Sequence, residues 1–302
     1  MTREENAAPE GKILVTGGSG QLAVSLSILG GDEIVRIGRP EFDFDRPGSI
    51  AAAIARYKPR AVVNAAAWTA VDLAESEPEA ARRANETGPA LLAAACAEIG
   101  VPLIHVSTDY VFSGDKGAPY VESDPIAPQT VYGTTKASGE IAALAANPQT
   151  IVLRTAWVYS AHGKNFVRTM IAAGARNPHL RVVGDQIGNP TSSDDLATAI
   201  LAILARISKT GWQPEYAGIY HATAQGETSW HGLAVAALEI ATRFERPMPE
   251  IDAIRTEDWP TPAKRPRDSR LGCDKLATVF GVRLPDWQAT LTPTVETILS
   301  TP

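Results

Sequence analysis

The hydrophobic positions in the first half of the chain fall into short runs rich in Val and Ile, separated by longer stretches rich in Ala and Leu. Because the short runs are apolar at nearly every position, they predict strands of a parallel sheet that helices cover on both faces. The strands are expected at residues 12–16, 33–37, 61–64, 103–108 and 150–155, and the helices between them at residues 21–29, 47–57, 77–99 and 131–146. Such alternation forms right-handed βαβ units and predicts an α/β fold with a doubly wound parallel sheet.

The pattern becomes less regular after about residue 159. The expected elements are helices at residues 165–176, 193–207, 230–244 and 287–299, strands at residues 180–183 and 218–222, and a stretch rich in Pro and Arg at residues 247–270. We interpret residues 11–158 as the main α/β domain, to which the chain returns at about residues 180–222. Residues 159–302 then form mainly a smaller, ligand-facing α+β lobe, because irregular segments on a rigid scaffold often carry binding sites. Residues 1–10 are interpreted as a flexible tail.

Composition and charge exclude several classes of protein. The 302 residues include 28 Lys and Arg against 34 Asp and Glu, a formal charge of −6, so nucleic acid is not an expected partner. No apolar run approaches the roughly 20 residues that cross a bilayer, and residues 1–10 contain no apolar signal-peptide core. The two cysteines, Cys96 and Cys273, form no disulfide framework, and the five His lack the spacing of metal ligands. These features predict a cytoplasmic protein with no membrane partner and no metal site.

A glycine-rich turn lies between the first predicted strand and the first predicted helix. Gly17 and Gly20, followed by the small Ala23, match a GxxGxxG/A dinucleotide loop. Gly17 would allow the tight turn, Gly20 would let the backbone approach a pyrophosphate, and Ala23 would let the helix pack closely on the strand. The helix N-terminus favours anionic phosphates. The loop therefore identifies the first domain as a Rossmann-like dinucleotide-binding domain.

The residues after the second predicted strand bear on the choice of cofactor. Proteins that prefer NAD usually carry an acidic residue there for the ribose hydroxyls, whereas this chain has Arg39. Arg39 would suit the 2′-phosphate of NADPH, although a solvated surface arginine is nearly as good an interpretation, and NADH stays open. Asp43 and Phe44, a few residues later, offer an acidic group and an aromatic ring for the adenosine.

Tyr132 and Lys136 form a Tyr-x-x-x-Lys motif at the start of a predicted helix, one turn apart and therefore on one face. A tyrosine with a pKa near 10 is a poor proton donor to a nascent alkoxide unless its phenolate is stabilised, and a nearby ammonium group lowers that pKa. Thr108, at the C-terminal end of the fourth predicted strand, would orient a substrate carbonyl. The order of glycine loop, Thr108 and Tyr-x-x-x-Lys predicts a reductase.

With these motifs in place, the chain resembles the dTDP-4-dehydrorhamnose reductase family of the extended short-chain dehydrogenase/reductase superfamily. The resemblance extends over nearly all of residues 12–299. It rests on residues 17–23, 64–72, 107–112, 132–136, 154–159, 185–191 and 265–271. The later blocks matter most, because they are particular to this family rather than to the superfamily. The resemblance implies reduction of the C4 ketone of dTDP-4-dehydro-6-deoxy-L-mannose to dTDP-L-rhamnose by NADPH or NADH.

The resemblance also implies a role for individual residues. Tyr132 would be the proton donor, Lys136 its electrostatic partner and Thr108 the group that orients the carbonyl. The cofactor would contact Gly17, Gly20, Gln21, Leu22, Arg39, Asp43, Phe44, Ala67, Trp68, Thr69, Tyr132 and Lys136. The dTDP-sugar would contact Val71, Thr108, Asp109, Tyr110 and Trp157.

Several alternatives stay open at this stage. A 4,6-dehydratase is disfavoured, because dehydratases follow the strand-end Thr-Asp with Glu, whereas Tyr110 follows Asp109 here. Another nucleotide-sugar ketoreductase, or an epimerase, needs the same Tyr and Lys. A non-catalytic, dinucleotide-binding regulatory subunit could keep the scaffold without turnover.

Two further features concern partners and the oligomeric state. Arg265, Arg267 and Arg270 are weak candidates for the diphosphate of a sugar nucleotide, because guanidinium groups suit phosphate, although some would only brace their loop. Some members of the family dimerise through Mg²⁺ held by a Glu where this chain has Ser25. The sequence therefore predicts a monomer or a homodimer and leaves a role for Mg²⁺ open.

Overall fold

A six-stranded parallel sheet forms the centre of the protein, for which a computed structural model describes residues 11–300. The strands within these residues are β1 (Ile13–Thr16), β2 (Ile34–Arg36), β3 (Ala61–Asn64), β4 (Leu103–Thr108), β5 (Thr150–Thr155), β6 (Val158–Tyr159), β7 (His179–Val183), β8 (Ile187–Gly188), β9 (Thr191–Ser192), β10 (Gly218–His221), β11 (Thr228–Ser229) and β12 (Glu250–Ile254). The central sheet has the order β10-β5-β4-β3-β1-β2, with every neighbouring pair parallel. All of the α/β strands predicted for it are present.

Helices cover both faces of this sheet. They are α1 (Gln21–Gly30), α2 (Gly48–Tyr57), α3 (Val71–Ser76), α4 (Pro78–Arg82), α5 (Gly88–Glu98), α6 (Val131–Ala146), α7 (Phe166–Gly174), α8 (Ser193–Thr210), α9 (Trp230–Thr242), α10 (Asp274–Phe280) and α11 (Trp287–Ser300). Apolar side chains of α1 and α8 pack on one face, and those of α2 and α5 on the other. Burial on both faces explains the continuously apolar strands and confirms the predicted α/β class.

The connection between β3 and β4 differs from its prediction. One helix was expected over residues 77–99, but the chain forms α4, a π-helical turn at Arg83–Thr87 and then α5. The separate helix α3 precedes them and was not predicted. The helical stretch is continuous over residues 78–98, so the expected helix is present, and what the apolar pattern does not reveal is the π-turn inside it. At that turn the buried Asn85 side chain bonds the backbone of Trp68.

The second half of the chain alternates between the central sheet and a smaller lobe. In that lobe β7 pairs with β12, β8 with β11 and β6 with β9, and side chains of α7, α9 and α11 form a separate core. The range 180–222, where a return to the main domain was expected, begins with β7 outside the central sheet and ends with α8 and β10 on it. Helix α10 adds Leu276 and Phe280 to the core of the central sheet. The domain boundary at residue 158 stays a prediction.

Candidate functional site

The turn after β1 brings backbone atoms to the floor of a large cavity. Gly17 has φ +106°, and a Cβ built there would lie 2.9 Å from the carbonyl carbon and oxygen of Ala65. A Cβ on Gly38, two residues after β2, would lie 2.5 Å from the Cα of Gly18. Only glycine fits these close approaches, so the loop presents bare backbone to the cavity.

The N-terminus of α1 faces the same cavity and fits a pyrophosphate. Gly20 is the N-cap in extended conformation and no side chain caps the helix, so the first N–H groups are available to a ligand. The cavity, of 880 Å³, is lined by Gly17, Gly20, Gln21 and Leu22 at this end. Backbone N–H groups and the helix dipole together form an anion site. The residues present therefore fit the diphosphate of a dinucleotide.

Charged groups surround the expected adenosine end. Arg39 donates to Asp43 at 3.1 Å and to Asp45 at 3.2 Å, with 68% of its side chain exposed. Arg83 pairs with Asp45 at 2.8 Å, which lowers the pKa of that carboxyl. Phe44 is largely buried and lines the cavity with Asp43 and Arg39. A 2′-phosphate at this end would meet an arginine that is already paired with carboxylates.

The segment after β3 forms the wall between the two ends of the cavity. Ala67, Trp68 and Thr69 line it. The Asn85 side chain accepts a hydrogen bond from the Trp68 N–H at 2.8 Å and donates to the Trp68 carbonyl at 3.1 Å. The π-turn that carries Asn85 therefore fixes the backbone beside the expected nicotinamide, a use of π-turns that is common at functional sites. The sequence analysis did not identify Asn85.

The three expected catalytic residues meet in the middle of the cavity. Thr108 ends β4, at the same C-terminal edge of the sheet where β1 leads into the glycine loop. Thr130 caps α6 by accepting the N–H of Gly133 at 3.0 Å, and this cap sets the helix start that places Tyr132 and Lys136 in the cavity. Tyr132, Lys136 and Thr108 are all buried.

Burial dominates the ionisation of the site. It raises the pKa of Tyr132 to about 12, although the hydroxyl of Thr108 acts in the opposite direction. It lowers the pKa of Lys136 to about 8, although the carboxylate of Glu140 acts in the opposite direction. In the protein alone the net shift of the Tyr132 pKa is therefore upward rather than downward, because desolvation of the phenol is the largest contribution. Tyr132 is a neutral phenol that carries a transferable proton.

A buried ion pair lies one helical turn below Lys136. Glu140 accepts from Arg154 Nε at 2.9 Å and from Nη2 at 2.6 Å. The Lys136 ammonium donates to the carbonyl oxygen of Val106 at 2.6 Å. Tyr132, Lys136 and Glu140 are spaced four residues apart and therefore share one face of α6. The backbone of Lys136 is held in α6, and its ammonium group is held by the hydrogen bond to β4.

The expected substrate residues line the other end of the cavity. Asp109 accepts a hydrogen bond from Thr108 at 2.9 Å. Burial raises the pKa of Asp109 to about 6, although hydrogen bonds from the hydroxyls of Ser269 and Thr108 act to lower it. The rings of Tyr110 and Tyr132 meet edge to face with centroids 5.4 Å apart. Val71 and Trp157 complete this end. Every residue assigned to cofactor or substrate thus lies on one cavity, while the individual roles stay predictions.

The three candidate arginines do not line this cavity. Arg265 pairs with Asp72 at 2.7 Å, and Arg270 pairs with Asp268 at 2.7 Å and Glu227 at 2.8 Å. These contacts brace the loop against α3 and against the second lobe, so two of the three guanidinium groups are already occupied. Arg267 is exposed.

Ser25, where the resemblance led us to expect no metal-binding Glu, is buried and shares a 2.7 Å hydrogen bond with Ser193 of α8. It therefore offers no carboxylate to a bridging Mg²⁺. Across residues 11–300, no group of three His, Cys, Asp or Glu side chains could hold a metal ion, and no helix there is long and apolar enough to cross a membrane.

Among the lining residues that the sequence analysis did not identify, two large side chains come from the second lobe. Lys164 and Trp230 reach the cavity from the second lobe. The loop that carries Lys164 is joined to the glycine loop by a 3.0 Å hydrogen bond from Asn165 to Gln21. No motif marks these positions, and the only local signal is that Ser229, the N-cap of α9, precedes Trp230.

Comparison with known proteins agrees with this geometry. The model of the family described as the RmlD substrate binding domain matches residues 11–300. A dTDP-4-dehydrorhamnose reductase of Sinorhizobium fredii is 43% identical over 279 residues, which are 92% of this chain and 94% of the relative. The chain belongs to the dTDP-4-dehydrorhamnose reductase family. The resemblance inferred from the motifs is thereby confirmed.

Solved structures of the family have the same fold. A dTDP-4-dehydrorhamnose reductase from Clostridium acetobutylicum superposes with a TM-score of 0.86 at 36% identity, over 94% of this chain and 98% of that one. The corresponding protein from Bacillus anthracis, solved in complex with NADP, also gives 0.86 at 29% identity, over 95% and 99% of the two chains.

Proposed function

We propose that this protein reduces the C4 ketone of dTDP-4-dehydro-6-deoxy-L-mannose to dTDP-L-rhamnose, a step of dTDP-rhamnose biosynthesis. The observation that carries the proposal is the meeting of Thr108, Tyr132 and Lys136 in one cavity with the glycine loop. Membership of a family whose members are named for this reaction supports the choice of sugar.

In this reaction the side chains of the site would orient the substrate and transfer a proton. A reduced nicotinamide, when bound, supplies the hydride that C4 receives. Tyr132 donates a hydrogen bond to the ketone oxygen and then gives it the phenolic proton, so that the oxygen becomes the C4 hydroxyl. Thr108 would donate to the same oxygen when its hydroxyl turns away from Asp109, which accepts it in the free protein. The Lys136 ammonium stabilises the phenolate that remains until solvent returns a proton.

NADPH is the proposed cofactor, with NADH as a second acceptable one. The protein of Bacillus anthracis was solved with NADP, and Arg39 lies at the adenosine end of this cavity. Because Arg39 is paired with Asp43 and Asp45, its preference for a 2′-phosphate should be moderate.

The proposed setting is the cytoplasm, and the proposed assembly is a monomer or a homodimer that needs no Mg²⁺ at Ser25. Both cysteines are free thiols, and Cys96 is buried with a pKa raised to about 12. Such inert thiols suit a reducing compartment.

The direct test uses purified protein, NADPH and the keto sugar, made in place by the preceding dehydratase and epimerase. Loss of reduced-nicotinamide absorbance is expected only when both this protein and the sugar are present, with dTDP-L-rhamnose as the product in NMR spectra. Isomerised sugar with no net consumption of NADPH would instead indicate an epimerase. Binding of NADPH without consumption would indicate another keto sugar or a regulatory subunit.

A further inference from the structure

Two indole rings stack on each other at the substrate end of the cavity. The rings of Trp157 and Trp230 are parallel within 5°, with centroids 3.6 Å apart, and both residues line the cavity. Phe166 meets Trp230 at 4.7 Å with its ring tilted by 54°. Trp157 follows the strand β5 of the central sheet, whereas Trp230 and Phe166 begin helices of the second lobe. The stack therefore joins the two lobes across the site.

Trp157 occupies a backbone conformation that needs support. Its φ of +48° lies in the left-handed region, which bulky side chains rarely adopt and which persists only where the surroundings hold it. A Cβ on Gly188 would lie 2.5 Å from Cε2 and 2.7 Å from Nε1 of Trp157, so the edge of the indole rests directly on the β8 backbone. The Trp157 carbonyl also accepts the N–H of Thr191 at 3.3 Å.

Trp230 is itself anchored from several sides. Its Nε1–H donates to the side chain of Gln186 at 3.1 Å, and Ser229 caps the helix that it begins. Strand β11, immediately before it, pairs Thr228 with Gly188. Gly188 and Trp230, which contact the edge and the face of Trp157, are therefore held in one rigid unit of the second lobe.

We infer that Trp230 is a positioning residue that holds the Trp157 indole against Gly188 and so shapes the end of the cavity that receives the nucleotide sugar. The inference rests on the proposed function for the identity of the sugar. An indole fixed on one face and one edge presents a rigid surface, and such preorganisation reduces the entropy that a bound ligand loses. Trp230 acts here through Trp157 rather than on the reacting atoms.

The test compares Trp230→Ala and Trp230→Phe with the wild type. Loss of an aromatic pair predicts a KM for the keto sugar raised about tenfold in Trp230→Ala, with the KM for NADPH unchanged. Trp230→Phe keeps a ring but loses the N–H to Gln186, so an intermediate KM is expected. Trp212→Phe is the matched control, because Trp212 packs on Tyr216 away from the cavity and its loss should leave both constants unchanged.

A spectroscopic readout separates the stack from general destabilisation. Two parallel indoles at this distance should give an exciton-coupled circular dichroism band, which both Trp230→Phe and Trp157→Phe should abolish and Trp212→Phe should retain. An unchanged band in Trp230→Phe would overturn the inference, as would an unchanged KM for the sugar in Trp230→Ala.

The inference can also be tested without the reaction, by measuring the binding of dTDP-L-rhamnose by calorimetry in the absence of turnover. Weaker binding by Trp230→Ala with normal NADPH binding supports it even if the wild type proves inactive, in which case only the proposed reaction fails. Equal binding by the wild type and Trp230→Ala contradicts it. If Trp230→Ala does not fold, Trp230→Phe decides by the same measurements.

Discussion

The two ends of the cavity are built in different ways. The dinucleotide end consists mainly of backbone from the contiguous residues 17–22, held by glycines that leave no room for a Cβ. The substrate end consists of side chains from well-separated segments, among them Val71, Asp109, Trp157 and Trp230. A function performed by backbone is encoded locally, whereas a site of converging side chains exists only after the lobes have packed. The glycine loop is therefore readable from its spacing, whereas the substrate residues were expected only from the family resemblance, and Trp230 was found only in the structure.

The largest effect is expected from a substitution at Tyr132, which lies where the dinucleotide end and the substrate end of the cavity meet. Tyr132→Phe should lower kcat by about 10²- to 10⁴-fold, because general acid catalysis contributes about this factor and the phenylalanine has no proton to give. Cofactor affinity should stay unchanged, since the phosphate site is backbone. Stopped-flow turnover and NADPH titration would measure the two quantities. The control is Tyr110→Phe, which alters the neighbouring ring at 5.4 Å; equal losses in both variants would contradict the assignment of Tyr132.

The second test addresses the dinucleotide end alone. Gly17→Ala should raise the Kd for NADPH by about 10- to 100-fold, because strained backbone costs about 1–3 kcal/mol and the new Cβ meets Ala65. Gly48→Ala is the matched control, since a Cβ there has open space. Isothermal titration would measure the Kd, and normal affinity in Gly17→Ala would show that the loop does not need its close approach.

The third test uses pH. The pKa of Lys136 is lowered to about 8, so its ammonium form is present below that pH and is lost above it. We expect kcat/KM to fall above pH 8, while Tyr132, with a pKa near 12, stays protonated through this range. Because the Lys136 pKa is lower in the folded than in the unfolded state, stability should rise with pH between about 8 and 10.5.

Steady-state kinetics and denaturant unfolding across this pH range would measure both effects of Lys136. Lys209→Met, which removes an exposed ammonium from α8, should leave the fall in kcat/KM in place. A flat rate profile through pH 9 would exclude Lys136 as the group that must be charged.

The smallest effect is expected at the adenosine edge. Arg39→Ala should reduce the preference for NADPH over NADH by about fivefold, the scale of an exposed ion pair. The KM for the keto sugar should not change, because Arg39 lies at the opposite end. Competition kinetics with the two cofactors would test this, with Arg56→Ala as control, since Arg56 pairs with Glu41 outside the cavity. An unchanged cofactor ratio would make Arg39 a surface arginine.

The same difference explains which parts of the fold were predictable. The strands of the central sheet are apolar because helices bury both faces, and that requirement is visible in the sequence itself. The π-turn inside the expected helix at residues 77–99 was not visible, because its one buried polar side chain, Asn85, bonds the backbone of Trp68, 17 residues away, and no local pattern marks that contact. The Tyr132 pKa was expected to fall and instead rises, because motif spacing shows the nearby lysine but not the burial that desolvates the phenol.

The sequence alone determined the α/β class, because periodic burial is a local property. It also predicted the dinucleotide loop and the Tyr132 and Lys136 pair from glycine spacing and one helical turn, and the role of Thr108 from its place at a strand end. Only the tertiary structure decided that Arg265 and Arg270 pair within the protein and that Trp230 supports Trp157. Those contacts join Trp157 to Trp230, Arg265 to Asp72 and Arg270 to Glu227, which are 73, 193 and 43 positions apart. Their geometry is set when the second lobe packs on the central sheet, which no local pattern describes.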